Sequence, residues 1–395
     1  MKKITAMLMA VLMLLSLAAC GTSTADTGDA ADDAAAGNPA DTADSAEEDA
    51  AAAEVEAVTI TDHAGNEVTL PAEIQRIVVC DILPLPSVLT VFFDSAEKIV
   101  GMSENSLTAA ANGLLGELYP EILDVETGFM TGSEVNTEEL MKLDPQVVFY
   151  SASNPQLGEQ LTNAGFNAVA ISVNKWEYNT IETLNQWIEL LSLIFPENDK
   201  AETCRAYSEE VYNMVQERVS TIPEEERARV FFLFQYSDST MLTSGKLFFG
   251  QFWADAVGAV NVAEELNTDN SVAVNLEQVY TWNPEIIFIT NFTPAMPEDL
   301  YGNTIGVHDW SGIQAVQDGK VYKAPLGMYR SYTPGVDTPV TLLWYAKTVY
   351  PELFQDVDIL QETVEYYEAV FGVTLTEAQA ESIFSVTAEA GDVNL

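Results

Sequence analysis

Base is what this chain has least of. Its 395 residues carry 16 Lys and Arg against 61 Asp and Glu, a formal charge of −45. A nucleic-acid binder needs a basic footprint to neutralise phosphates, so that class is excluded. Histidine is scarcer still, with only His63 and His308. A direct zinc or manganese site draws on several imidazoles with carboxylate support, and these two do not form that cluster. Both read as solvated or capping residues. The same scarcity argues against an exported hydrolase, which needs a convergent nucleophile and base. Cysteine is limited to Cys20, Cys80 and Cys204, with no disulfide framework or zinc-finger spacing. Cys80 ends an apolar strand and Cys204 lies on a helix face, so both read as buried free thiols. Catalytic motifs are equally thin. Ser95-x-x-Lys98 lacks the K-T-G and S-D-N elements that would give it meaning, and reads as a turn. Thr243-Ser244-Gly245-Lys246 lacks the preceding glycine of a phosphate loop. No enzyme and no intrinsic cofactor or metal are expected.

The N-terminus is informative. Lys2 and Lys3 precede an apolar run from Ala6 to Leu15, shorter than the roughly 20 residues a membrane span requires. A basic start, a short apolar stretch and a small-residue site form a secretory signal peptide over residues 1–20. Its ending, Leu17-Ala18-Ala19-Cys20, resembles a bacterial lipobox, which implies lipidation of Cys20. Stable anchoring then follows from about 0.8 kcal/mol per buried methylene. Residues 21–57 hold eleven acidic side chains from Asp26 to Glu56 and no basic one. Such a segment cannot bury enough surface to fold, so it reads as an extended tether. The acidic body should stand off anionic lipid, leaving the lipid anchor as its only membrane contact.

A duplication organises the rest. Asn136-x-Glu138, Pro145 and Val147-Val148-Phe149 recur as Asn275-x-Glu277, Pro284 and Ile286-Ile287-Phe288, at a constant offset of 139 residues. Each copy predicts an Asn-capped helix with Glu in its first turn, a Pro stop and a buried strand. Two copies predict two similar αβ lobes.

A hairpin is expected over Val58–Leu70, followed by strands at 74–80, 98–102, 146–150 and 167–171 with helices between them. This αβ series forms an N-terminal lobe, 58–178. A helical connector, 179–220, has Leu184, Trp187, Ile188 and Leu191, then Cys204, Tyr207, Val211 and Val215, at helical spacing. Pro196 makes it either one kinked helix or a short and a long one. The αβ pattern restarts in a C-terminal lobe, 221–386, with strands at 229–234 and 320–324, a helix at 248–257 and two short helices in its tail.

Ligands of two-lobed α/β proteins lie at the carboxyl ends of the strands. The segments reaching those ends are aromatic and hydroxyl-rich. Met130, Thr131, Tyr150, Tyr236, Ser244, Tyr329 and Arg330 are the candidate ligand residues. Arg330 is one of six arginines. It either grips an anionic ligand group bidentately or pairs with Asp337 on the surface.

The lipobox, the acidic tether, ITDHAGNEVTLPAEIQRIVV, the two Asn-x-Glu units, AVQDGKVY and LLWYAKTVYPELF together resemble the periplasmic binding proteins for iron complexes and cobalamin. The resemblance runs from Val58 to Phe384. It implies two Rossmann-like lobes joined by a long rigid α-helix, with the ligand cleft between them. It further implies a monomeric, lipid-anchored, extracytoplasmic receptor serving an ABC importer. In that family one glutamate on each lobe docks onto arginines of the permease dimer, and the Asn-x-Glu context maps these onto Glu138 and Glu277. Exposed ion pairs of about 0.2–1 kcal/mol suit docking that must reverse. The expected ligand is a metal chelate: ferric siderophore, haem or corrinoid. The pattern departs from the family here, since siderophore binders use several arginines and haem binders specific Met, His or Tyr ligands. PGVDTPVTLLWYAKTVYPELF also resembles a subgroup that includes molybdate and tungstate receptors, which keeps an oxyanion as the alternative.

Overall fold

The computed structural model describes residues 57–391. The signal peptide, Cys20 and the tether as far as residue 56 lie outside the described residues. Among the described residues no helix is long and apolar enough to cross a membrane.

The expected hairpin forms from β1 (Val58–Thr61) and β2 (Glu67–Leu70). Asp62 organises its turn. One carboxylate oxygen accepts from the Ala64 and Asn66 N–H groups, and the other from the Asn66 side chain and the Ala170 N–H. The first sheet contains β3 (Ile77–Val79) and β4 (Ile99–Gly101). A two-residue ribbon, β5 (Met130–Thr131) with β6 (Glu134–Val135), precedes β7 (Val147–Ser151) and β8 (Ala168–Ile171). The sheet order is β4-β3-β7-β8, parallel throughout. Ala170 lies on its edge strand, so the Asp62 contact satisfies an N–H that would otherwise face solvent.

His63 is neither solvated nor a cap, which corrects the sequence reading. Its Nδ1 accepts the Ser172 N–H at 3.1 Å, and burial, helped by the Lys175 charge, pushes its pKa down to about 4. A neutral imidazole pins the hairpin to the end of β8. His308 is also half-buried, with Nδ1 hydrogen bonded to the Tyr236 hydroxyl at 2.9 Å.

The second sheet comprises β9 (Arg229–Tyr236), β10 (Met241–Ser244), β11 (Val260–Asn261), β12 (Ser271–Ala273), β13 (Ile286–Ile289) and β14 (Val321–Lys323). Its order is β12-β10-β9-β13-β14, with β11 also pairing β9. Strands β11 and β13 run parallel to β9, and β14 parallel to β13. Strand β10 is antiparallel to β9 and β12. The central strands are continuously apolar because both faces are covered, as the register pairs Ile286 with Val230 and Phe288 with Phe232.

The connector is two helices, Thr180–Ile194 and Ala201–Val219, separated by a tight turn at Pro196–Asn198. Phe195, before the proline, leaves the helical region with φ −126° and ψ 69°, as a pre-proline residue must. The first helix buries Leu184, Trp187, Ile188 and Leu191 in the core on the first sheet. The second begins there with Cys204 and ends with Val211, Val215 and Val219 in the core on the second sheet. Nineteen residues at about 1.5 Å each give a rod of about 28 Å, which is the element that carries the chain from one core to the other.

The last helices do not stay with the second sheet. Tyr366, Tyr367, Phe371 and Ile383 belong to the first core, although their segment follows the second αβ series. Conversely, Leu83 and Ala109 pack with the second core. Both cysteines are buried and free, and burial drives both thiol pKa values up, Cys204 to about 12.

Candidate functional site

The segment between β14 and the helix Thr338–Val349 is folded tightly on itself. Leu326 and Arg330 form an antiparallel bridge. The fully buried Asp337 carboxylate accepts the Met328 N–H at 2.9 Å and the Tyr367 hydroxyl. Burial raises the Asp337 pKa to about 6, with those hydrogen bonds working against the rise. Only glycine fits at 327, where a Cβ would stand 2.0 Å from the Asp337 carboxylate. Asp337 is thus an internal clamp and not the surface partner weighed for Arg330.

This loop places Arg330 at 0% exposure between the two sheets. Its Nη1 donates to the Tyr329 hydroxyl at 3.1 Å and to the Asn105 carbonyl at 3.2 Å. Asn105 opens the helix Glu104–Asn112, which follows β4 and is capped by Ser103. Arg330 therefore ties the second lobe's loop to a helix of the first. Its Nε and Nη2 both donate to the Ala390 carbonyl, at 3.3 and 3.2 Å. The guanidinium lies 5.3 Å from the ring centres of Phe292 and Tyr329, where cation–π attraction adds to the hold. A second buried cation, Lys323, donates to the Thr293 and Ala295 carbonyls at 2.6 and 2.8 Å. Burial, then the Arg330 charge, pushes its pKa down to about 7.

An aromatic wall adjoins the arginine. Phe292 follows β13 and packs 4.9 Å from Phe234, which in turn touches Phe248 and Tyr332 at 5.8 Å each. Tyr178, from the segment after β8, closes onto Phe248 and Phe249 at 5.2 and 4.8 Å. The arrangement is a cation set in an apolar, aromatic surround, with hydroxyl and backbone groups fixing its orientation.

Of the candidate ligand residues, Tyr329 and Arg330 meet at the guanidinium. Tyr236 ends β9 on the other side, its oxygen accepting the Trp310 indole N–H at 2.9 Å. Ser244 is buried in β10 and its hydroxyl accepts the Gly250 N–H at 2.8 Å. Tyr150 is packed over Gly158, where a Cβ would come within 2.4 Å of its hydroxyl. Met130 packs on that same cluster, and Thr131 is exposed beside it. The sequence reading missed Asn105, Phe234, Phe248 and Phe292. The position of Phe292, just past the apolar run of the second repeat, was its one available signal.

The family description "periplasmic binding protein" matches residues 96–326, more than half of the chain. The chain belongs to the periplasmic binding protein family. It is a solute-binding protein of an ABC transporter, a family whose members act outside the cytoplasm. The molybdate-binding protein MolA of Haemophilus influenzae is 27% identical over 336 residues, covering 79% of this chain and 90% of MolA. A periplasmic solute binding protein from Veillonella parvula superposes with a TM-score of 0.74 at 27% identity, covering 84% of this chain and 97% of the other. MolA bound to molybdate gives 0.68 at 25%, covering 80% and 99%. CeuE of Helicobacter pylori, solved as a nickel–histidine complex, gives 0.65 at 22% and shares the fold, over 82% and 98% of the two chains.

In this periplasmic binding protein both repeat units fold as their residues dictate. The Asn136 side chain accepts from the Glu138 and Glu139 N–H groups, and Asn275 accepts from Gln278 within a capping box. Glu138 and Glu277 are exposed on the first turns. Each helix leads by a short turn into a parallel strand, β7 or β13, so each glutamate stands on the carboxyl-end side of its own sheet.

Proposed function

We propose that this periplasmic binding protein captures an anionic solute on Arg330 and presents it to an ABC permease dimer. The first choice of ligand is a small oxyanion of the molybdate type. The carrying observation is the direction of the guanidinium. Among the described residues its Nη1 donates to Tyr329 and Asn105, and the Nε–Nη2 edge, the edge that grips an oxyanion bidentately, faces the Ala390 carbonyl. One buried arginine with one partly neutral lysine matches a compact anion better than a multiply charged chelate. The likeness to MolA supports the same choice. The metal chelate stays as a second reading because Phe234, Phe248 and Phe292 offer a broad apolar wall.

Glu138 and Glu277 dock onto the permease, Cys20 carries the lipid anchor, and the protein works as a monomer without catalysis. Its two parts follow the lobes 58–178 and 221–386 around the connector 179–220, except that Tyr366, Tyr367, Phe371 and Ile383 of the last helices pack into the first core. A tryptophan-fluorescence titration with molybdate, tungstate, sulfate, a ferric siderophore, haemin and cobalamin tests the ligand. Saturable molybdate and tungstate binding is expected; binding of a chelate with indifference to every oxyanion would overturn the choice.

A further inference from the structure

We infer that each lobe docks through a pair of side chains: an acid, Glu138 or Glu277, and an exposed apolar residue three positions on, Met141 or Tyr280. The permease then meets each pair with a cation set beside an apolar pocket. The inference rests on the docking role proposed above for the two glutamates. Among the described residues seven large apolar side chains are exposed. Two of them, Met141 at 51% and Tyr280 at 39%, stand 139 residues apart, which is the offset of the repeat. The match extends to the backbone. The helices Thr137–Lys142 and Leu276–Trp282 both start at a capping Asn and bury the residue before the exposed one, Leu140 or Val279. Both then reach a left-handed residue just ahead of the proline, Asp144 with φ 45° and Asn283 with φ 43°. The two surfaces are therefore built alike. Three helical positions turn through about 300°, so each acid and its apolar neighbour share one face with Cβ atoms about 5–6 Å apart.

Both pairs are available to a partner. Lys142, the base nearest to Glu138 in sequence, is held by Glu139 at 2.6 Å, and among the described residues neither Glu138 nor Glu277 forms an ion pair. Met141 and Tyr280 join none of the apolar cores. The Tyr280 hydroxyl donates to the Asp309 carbonyl at 2.6 Å and accepts the Gly312 N–H at 3.3 Å, so the ring is presented in one orientation and loses little freedom on binding. Exposed ion pairs alone add little affinity, and salt weakens them. Interface cores are instead enriched in Met and Tyr and depleted in Glu. The acid steers the encounter and sets the register, and the apolar residue supplies the hold. A partner with two-fold symmetry presents one patch twice, which is what a pair repeated on two lobes fits. Its pocket must take both a thioether chain and a phenol ring, so it is roomy, and Met adapts to such a pocket without a shaped wall.

The test measures binding of the full chain, without added solute, to the importer's permease dimer and its ATPase in lipid nanodiscs. Met141→Ser and Tyr280→Ser are each expected to weaken binding about tenfold, and the double variant about a hundredfold, with melting midpoints close to the parent's. These losses should persist in about 1 M salt, where the losses from Glu138→Arg and Glu277→Arg shrink. Tyr280→Phe keeps the ring and should retain most of the binding. Leu193→Ser removes an exposed side chain from the connector helix Thr180–Ile194 and should leave binding as it was. Parental binding by Met141→Ser and Tyr280→Ser, with the glutamate reversals weakened, would overturn the inference and leave the docking role of the acids standing. Equal losses in Tyr280→Phe and Tyr280→Ser would also overturn it, by reducing Tyr280 to the hydroxyl that holds its own lobe. So would an equal loss in Leu193→Ser. Parental binding by the glutamate reversals, or no binding by the parent, would sink the docking reading instead.

Discussion

Gly327→Ala probes the device that aims the arginine. The added methyl would sit 2.0 Å from Asp337 Oδ1, 2.3 Å from Cγ and 2.5 Å from Oδ2, so the carboxylate must leave its seat. Leaving breaks its bonds from Met328 N–H and the Tyr367 hydroxyl, and strands an acid at full burial. Each hydrogen bond to a charged group is worth about 1.5–3 kcal/mol, and an uncompensated buried charge costs about 3–5 kcal/mol, so the loss should reach at least 3 kcal/mol. At about 2.1 cal/mol/K per residue over residues 57–391, a loss of about 3–5 kcal/mol is a fall in melting midpoint of about 4–7 °C. The three nearest atoms to the new Cβ all belong to one carboxylate, which makes the effect conditional. In an Asp337→Ala background the same substitution should cost little, a coupling of about 2 kcal/mol or more in a double-mutant cycle. Thermal melts of the four proteins supply the cycle. Additive losses, or a Gly327→Ala midpoint within 1–2 °C of the parent (under about 1 kcal/mol), would refute the clamp.

Four further outcomes follow from named groups. Asp337 is held near 6 against an unfolded value of about 3.9, so the native state binds the extra proton between them. Its contribution to stability is complete below about pH 4 and is lost as pH rises through 6, roughly 3 kcal/mol in all. Lys323, depressed to about 7, works in the other direction, adding stability as pH rises from 7 toward its unfolded value of about 10.4. Urea midpoints across pH 4–10 should flatten on the acid limb in Asp337→Asn and on the alkaline limb in Lys323→Met, and unchanged limbs would exclude these groups. Reversing Glu138 and Glu277 to Arg should abolish uptake in cells while ligand affinity stays within twofold, and a loss of affinity would move these residues into the binding site. Replacing Asn136 or Asn275 by Ala should each cost about 1 kcal/mol in chemical denaturation, and a neutral result would deny the capping role.

The fold was legible where local chemistry and burial agree. Uninterrupted apolar runs such as Arg229–Phe234 and Ile286–Phe288 can only be central strands, and the two Asn-x-Glu units announce capped helices regardless of their surroundings. The hairpin at Val58–Leu70 was equally plain from its alternation. The candidate site was not, because it is assembled from tertiary contact. Arg330 stood out by rarity in an acidic chain, but nothing local tells that Asn105, 225 positions away, holds it. Ser244 and Tyr236 show the difficulty, because polar side chains at strand ends look alike in sequence whether they face a cleft or satisfy a neighbour's backbone. Strand β10 has no signature of its own because its burial depends on antiparallel pairing with β9 and β12, which single-sequence periodicity over four residues does not encode. The histidines were misjudged for a related reason: a neutral imidazole accepting a backbone N–H leaves no spacing signature. The tail after Phe384 has no apolar period, so its seat against Arg330 was invisible.

The central claim is that one buried guanidinium holds an anionic solute between the lobes. Isothermal titration of the purified chain and its Arg330→Gln variant with molybdate tests it most directly. One saturable site in the parent is predicted, with affinity reduced at least about a hundredfold in the variant, as expected for losing a buried bidentate pair. Equal affinity in the two proteins, with the variant still folded by circular dichroism, would contradict it.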